Sequence, residues 1–152
     1  MSHIEHFANN SSQYKQFRPD YPEELFTYLE SIVPDTTLAW DCGTGNGQAA
    51  VALAKRFKQV VASDISQEQL NQAPSVPNIE YHCWEAQKTT LADKSVDLIT
   101  IAQALHWFDL EHFYQEVNRV GKKDAVIAAW CYSLGNISST IDPILHKLYV
   151  NI

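Results

Sequence analysis

The stretch LAWDCGTGNGQAAVALAKRF, Leu38 to Phe57, restricts the fold more than any other part of the chain. An apolar run ends in an acid, the glycines Gly43, Gly45 and Gly47 follow, and an apolar pattern of helical period begins at once. Glycine adopts backbone angles closed to other residues and shows no side chain to a neighbour. The bend between strand and helix is therefore a place where something comes close to the main chain.

The rest of the chain repeats the same alternation. Thr37 to Cys42 reads as a strand, and Gln48 to Phe57 as a helix with Ala50, Leu53, Ala54 and Phe57 on one face. Val60 to Ser63 is a second strand, ending at Asp64. Ser66 then caps a short helix, with Gln69 as its capping-box partner and Pro74 and Pro77 closing it. Ile79 to Cys83 is a third strand. DLITIA, Asp97 to Ala102, is apolar on both faces, as a central parallel strand should be. Asp109 opens another helix as N-cap, with Phe108 and Phe113 spaced as a hydrophobic staple and Gly121 ending it as the C′ residue. Ala125 to Trp130 is a fifth strand. A helix from Glu23, stopped by Pro34, precedes the series, and the tail turns helical from Asp142 or Pro143. Right-handed crossovers then give an α/β, doubly wound parallel sheet with helices on both faces and a ligand beyond the carboxyl ends of its strands.

At 152 residues the chain is long enough for one domain. Its net charge of −7 disfavours wrapping by a nucleic acid. No apolar run approaches the roughly 20 residues of a membrane span, and MSHIEHFANNSSQYKQF lacks the basic start and apolar core of a secretory signal. Cys42, Cys83 and Cys131 form no CxxC pair and lie in or beside apolar runs, so they read as buried, reduced thiols of a cytoplasmic protein. The histidines show no metal-ligand spacing, and no metal site is expected.

Three strand ends carry recognisable chemistry. The dinucleotide fingerprint G-x-G-x-x-G fails here, because the third glycine comes one residue early and Gln48 takes its place. Nor does a Gly-Lys-Ser or Gly-Lys-Thr ending mark a P-loop. A carboxylate at the loop mouth, Asp41, repels a pyrophosphate and suits an ammonium group. Asp64 ends the next strand beside the loop, where it can accept hydrogen bonds from both hydroxyls of a ribose. Glu85 and Ala86 follow the third strand, and an acidic acceptor next to a backbone N–H can read an adenine edge. S-adenosylmethionine carries an amine, a ribose and an adenine.

On four segments the chain resembles the class I S-adenosylmethionine-dependent methyltransferases, in particular the small-molecule branch that includes trans-aconitate methyltransferase. YKQFRPDYP (Tyr14 to Pro22) resembles an N-terminal segment of that family, DCGTGNG its glycine loop, ASDISQEQLNQA (Ala62 to Ala73) the acidic segment after its second strand, and DKSVDLITIAQALHWFD (Asp93 to Asp109) the stretch through its fourth strand. The resemblance runs over nearly the whole chain and implies a Rossmann-like sheet with S-adenosylmethionine as cofactor. It further implies that Asp41, Gly43, Thr44 and Gly45 line the methionine and ribose portion, that Asp64 holds the ribose, and that Ile65 packs on adenine. Glu85 and Ala86 would meet the adenine edge, Gln103 would face the sulfonium, and Tyr14 and Arg18 would cover the cofactor, Arg18 by pairing with its carboxylate. Three positions depart from the family pattern: Glu85 stands in place of Asp, Gln87 where Glu is common, and Trp84 in place of a small residue.

The expected activity is in-line methyl transfer to a small molecule. A carboxylate acceptor needs no base, whereas a hydroxyl acceptor would use one, for which His106 is the candidate catalytic residue. His106 and Trp107 are read either as substrate-facing residues or as plain core. Residues 1–34 form an N-terminal cap segment and helix, 35–133 the cofactor-binding core, and 134–152 a tail or the start of a substrate-cap insertion. Members of the family finish with two more strands that flank the fifth. Without them AVIAAW is an apolar edge, to be explained by a longer parent protein or by homodimer pairing. Two rivals stand beside this reading: a protein that binds S-adenosylmethionine or another nucleoside without catalysis, and a nicotinamide-dependent reductase. The early third glycine and Asp41 oppose the second.

Overall fold

A computed structural model describes residues 21–132, 138–144 and 147. Helix α1 (Glu23–Ile32) leads into strand β1 (Leu38–Cys42), helix α2 (Gln48–Ala54), strand β2 (Gln59–Asp64), the short helix α3 (Gln67–Leu70) and strand β3 (Ile79–Cys83). Strand β4 (Val96–Ala102), a 3-10 turn at Leu105–Trp107, helix α4 (Leu110–Val120) and strand β5 (Gly121–Trp130) complete the series. The five strands make one sheet in the order β3-β2-β1-β4-β5, and every neighbouring pair is parallel. Order reverses at β1, so the loop after β1 lies at the switch point, where open parallel sheets bind ligands.

Periodicity explains the layers. Every residue of β4 is buried, as expected for a strand covered on both faces. On one face Ala39, Val60, Ala62 and Leu98 pack against Phe26 and Leu29 of α1 and Ala49, Ala50 and Leu53 of α2. On the other, Trp40, Val61, Ile99 and Ile101 pack against Phe113 and Val120 of α4. Asp109 caps α4, its carboxylate accepting from the His112 N–H. Phe108 and Phe113 meet with ring centroids 4.9 Å apart, so the staple forms. Ser66 caps α3 by accepting from the Gln69 N–H, but the reciprocal half of the box is absent: the Ser66 N–H donates to Asp64 Oδ1 at 2.9 Å.

Strand β5 differs most from expectation. Gly121 does not end α4 in a left-handed cap; its φ of −66° and ψ of 135° are already extended, and β5 begins there. Glycine is needed for space, since a Cβ would lie 2.9 Å from the Val117 carbonyl oxygen. Val96 pairs with Gly121 and Leu98 with Val126, so Asp97 alone faces the bulged stretch 122–125. Its buried carboxylate accepts from Lys122 Nζ at 2.7 Å and from the Leu38 N–H at 3.0 Å, tying the starts of β5 and β1 to β4. The outer edge of β5 pairs with no strand among the described residues, and Ile127 stays 41% exposed.

All three cysteines are free, but only Cys42 is buried. Cys83 and Cys131 are exposed, contrary to the sequence reading: one ends the edge strand β3 and the other follows β5, and no further strand among the described residues covers them. Most of the tail helix lies outside the described residues, although residues 142–144 are helical. No helix among the described residues is long and apolar enough to cross a membrane.

Phe113 is fully buried and its neighbour Tyr114 is 43% exposed. Phe113→Ala is therefore expected to cost about 3–5 kcal/mol of stability by urea unfolding, whereas Tyr114→Ala shifts it by about 0.5 kcal/mol or less.

Candidate functional site

The glycine loop is held from beneath by Asp41. This residue does not stand at the loop mouth, as its place after an apolar run suggested; it is fully buried. Parallel register sets Asp41 opposite Thr100 of β4, whose hydroxyl donates to Oδ1 at 2.8 Å. The Thr44 hydroxyl donates to Oδ2 at 2.5 Å. Burial pushes the Asp41 carboxyl up, while the bonds from Thr44, Thr100 and the Ala50 N–H oppose that shift. Asp41 and Thr44 thus brace the loop from within, and their side chains face each other. Thr100 went unremarked in the sequence, although a lone hydroxyl inside DLITIA, in register with an acid, was the available signal.

Gly43 and Gly47 are bare because the protein itself crowds them. Gly43 has φ 70°, and a Cβ there would lie 2.5 Å from Ala104 Cβ and 3.2 Å from Phe108 Cζ. At Gly47, with φ 83°, a Cβ would lie 2.7 Å from the Tyr81 hydroxyl. Around Gly45 the only neighbour among the described residues within 4 Å of such a Cβ is Gln69 Oε1, at 3.9 Å. The middle of the loop is thus uncrowded by the described residues.

Asp64 borders that stretch. Its Oδ2 accepts from the Gly45 N–H at 2.8 Å and its Oδ1 from the Ser66 N–H at 2.9 Å. The expected neighbourhood of Asp64 and the glycine loop is thus realised as a direct bond. A carboxylate has about four acceptor directions, so each oxygen retains capacity for a ligand hydroxyl. Ile65, next along, is 61% exposed.

Beyond β3, Trp84 is anchored by its N–H to the Asp64 carbonyl at 3.1 Å. Its ring stacks on His82, with centroids 4.0 Å apart, and packs into the α4-side core. Glu85 and Ala86 enter a turn closed by the Lys88 N–H on the Glu85 carbonyl at 3.1 Å. Glu85 is exposed and Ala86 half-buried.

Past β4, Gln103 takes a left-handed φ of 64°, a costly conformation for a residue with a Cβ. Its N–H donates to the Trp130 carbonyl at 2.9 Å. Its side-chain Nε2 is buried without a hydrogen-bond partner among the described residues, as is Asn46 Oδ1 in the glycine loop. Buried polar atoms without partners are rare in folded proteins, and these two flank the loop and the adjacent strand end. His106 and Trp107 occupy the 3-10 turn after β4, their rings 4.6 Å apart and both exposed; the alternative of plain core does not hold for them. Tyr14 and Arg18 lie outside the described residues. The structure thus brings Gly43, Gly45, Asp64, Ile65 and Gln103 to one end of the sheet.

A family model described as a methyltransferase domain matches residues 40–129. A Dictyostelium discoideum protein classed as a methyltransferase is 42% identical over 137 residues, which are 90% of this chain and 52% of that one. A solved structure from Anaeromyxobacter dehalogenans, classed as a type II methyltransferase, superposes with a TM-score of 0.80 at 41% identity, over 88% of this chain and 57% of that one. At 26% identity, a malonyl-[acyl-carrier protein] O-methyltransferase of a Methylovorus species matches 65% of this chain and 37% of its own. The chain spans about half the length of the curated relatives it matches.

The two kinds of bareness in the loop are separable by mutation. Gly45→Ala is expected to cost about 1 kcal/mol, the strain of a left-handed alanine. Gly43→Ala adds a collision with Ala104 and costs about 1–3 kcal/mol more. Urea unfolding of both variants checks the difference.

Proposed function

Because the chain belongs to the class I S-adenosylmethionine-dependent methyltransferases, we propose that the hollow over Gly45 holds S-adenosylmethionine and serves methyl transfer to a small molecule. The observation that carries this reading is the Gly45 N–H on Asp64, which couples an uncrowded stretch of main chain to a carboxylate with spare acceptor capacity. The residues fit the group. Asp64 takes the ribose hydroxyls, Ile65 offers an exposed apolar face to adenine, and Glu85 with Ala86 takes the adenine edge. Gly43, Gly45 and Gln103 line the methionine end, where the orphaned Gln103 amide finds a partner. Asp41 and Thr44 act from below, by fixing the loop. Tyr14 and Arg18 close over the cofactor.

Bound there, the cofactor supplies a methyl group already activated by its sulfonium. The protein's work is to hold an acceptor oxygen in line at about 3 Å and to exclude water. We assign that side of the site to His106 and Trp107. The acceptor we favour is a carboxylic acid, which is nucleophilic when ionised and needs no base. The Methylovorus relative supports this choice, being named for O-methylation of a malonyl group. In an alternative with a hydroxyl acceptor, His106 takes the proton. The same proposal keeps 1–34 as cap segment and helix, 35–133 as cofactor core and 134–152 as the start of a substrate cap or a tail. It places the chain in the cytoplasm, on its free cysteines, and away from nucleic acids, on its net charge of −7.

The edge of β5, unpaired among the described residues and with Ile127 exposed, suits cover either by further strands of a longer parent protein or by a second copy; we propose the second copy for the chain as given. Sedimentation should then show a dimer that Ile127→Lys dissociates; a monomer at all concentrations removes the pairing.

Calorimetry with S-adenosylhomocysteine should show binding that Asp64→Ala weakens at least about tenfold, since two charge-assisted hydrogen bonds to the ribose are lost. Folded wild-type protein that fails to bind sinks the proposal. Binding with no transfer of labelled methyl to any acid or phenol favours a non-catalytic binding protein instead.

A further inference from the structure

A buried carboxylate on α4 anchors a dense network of charged groups away from the glycine loop. Glu116, in the second half of α4, is 8% exposed. Its Oε1 accepts from the Thr89 N–H at 2.8 Å, the Thr89 hydroxyl at 2.6 Å and Arg119 Nη2 at 2.7 Å, and its Oε2 accepts from Arg119 Nε at 2.8 Å. Arg119 Nη1 continues to the Leu91 carbonyl at 2.7 Å and to Asp93 Oδ1 at 2.6 Å. Burial pushes the Glu116 carboxyl up, but the bonds from Arg119 and Thr89 together outweigh it and hold it below the usual range. One turn of helix thus grips residues 89–93 at three points.

What that grip controls follows from chain order. Thr89 comes directly after the turn whose carbonyl and N–H are those of Glu85 and Lys88. Upstream, the Trp84 N–H is fixed to the Asp64 carbonyl. Glu85 and Ala86 are therefore suspended between two anchors: the end of β2 on one side and Thr89 on α4 on the other. The other end of α4 touches the glycine loop, because Phe108 stands against Gly43 and packs on Phe113.

We infer that Thr89, Glu116 and Arg119 form a positioning clamp that sets the purine end of the site and its choice of base. The clamp touches no ligand and acts through Glu85 and Ala86; it rests on the reading that these two face adenine. Glu85 accepts from the exocyclic amine of adenine and repels the carbonyl that hypoxanthine carries at the same position. That preference requires the carboxylate to be held in place. Released at Thr89, the segment swings and discrimination falls.

The test uses calorimetry on the full chain with S-adenosylhomocysteine and S-inosylhomocysteine. Wild type is expected to prefer the adenine ligand. Thr89→Val keeps the shape and the main-chain bond to Glu116 but removes the hydroxyl bond; by lowering the fraction of molecules with Glu85 in place, it should weaken S-adenosylhomocysteine about five- to tenfold and leave S-inosylhomocysteine nearly unchanged. Thr89→Ser restores the hydroxyl and should restore the preference. Arg119→Lys, which keeps the charge but loses the fork, should reduce the preference in the same direction and serves if Thr89→Val does not fold. A purely structural clamp predicts equal weakening of both ligands, and that result, or an unchanged preference, overturns the inference. If wild type binds both ligands equally, the assignment of Glu85 to the adenine edge fails and the clamp falls with it. If wild type binds neither, the proposed function itself fails.

Discussion

A buried carboxylate holds the middle of this molecule together. Asp41 ends the central strand β1, lies out of reach of water, and bonds through its two oxygens to Thr44 in the glycine loop and Thr100 on β4. A buried charge without partners would be expensive; with these it fixes the loop relative to two strands. The left-handed angles at Gly43, Gly45 and Gly47 are tolerable because glycine adopts them, and the close packing at Ala104 and Tyr81 leaves no room for a side chain at Gly43 or Gly47. The backbone around Gly45 is therefore held in one conformation before any ligand arrives.

The fold was legible because its signals are local. Strand and helix alternate with clear changes of period, and DLITIA announced a strand buried on both sides, which β4 is. The caps at Ser66 and Asp109 and the staple at Phe108 and Phe113 require only residues a few positions apart. The start of β5 was not legible. A glycine after a helix usually marks a left-handed stop, yet Gly121 passes straight into a strand because Val117 and Ala125 leave no room for a side chain. That reason lies in packing, which the local pattern does not carry.

The candidate site divides the same way. Proximity of Asp64 to the glycine loop followed from topology, and the structure shows it as a hydrogen bond. Burial of Asp41 did not follow, because an acid after an apolar run looks the same in sequence whether it meets solvent or a threonine hydroxyl from a strand 59 positions away. The exposure of Cys83 and Cys131 has a related cause: apolar neighbours in sequence do not bury a residue that ends or follows a strand at the margin of the sheet. Glu116 and Arg119 carried no motif signal at all. Their meaning depends on Thr89, which the fold brings to them from the far side of β4.

The strand order has a consequence for synthesis on the ribosome. β1 sits between β2 and β4, so one of its flanks remains unsatisfied until Val96–Ala102 has left the exit tunnel. During that interval the nascent half-sheet displays Ala39, Trp40 and an exposed ladder of amide groups, with Asp41 lacking the threonine that later neutralises its isolation. The span between partners makes this a slow, non-local closure. A pause in translation before Val96–Ala102 has emerged would therefore leave the nascent chain dependent on chaperones.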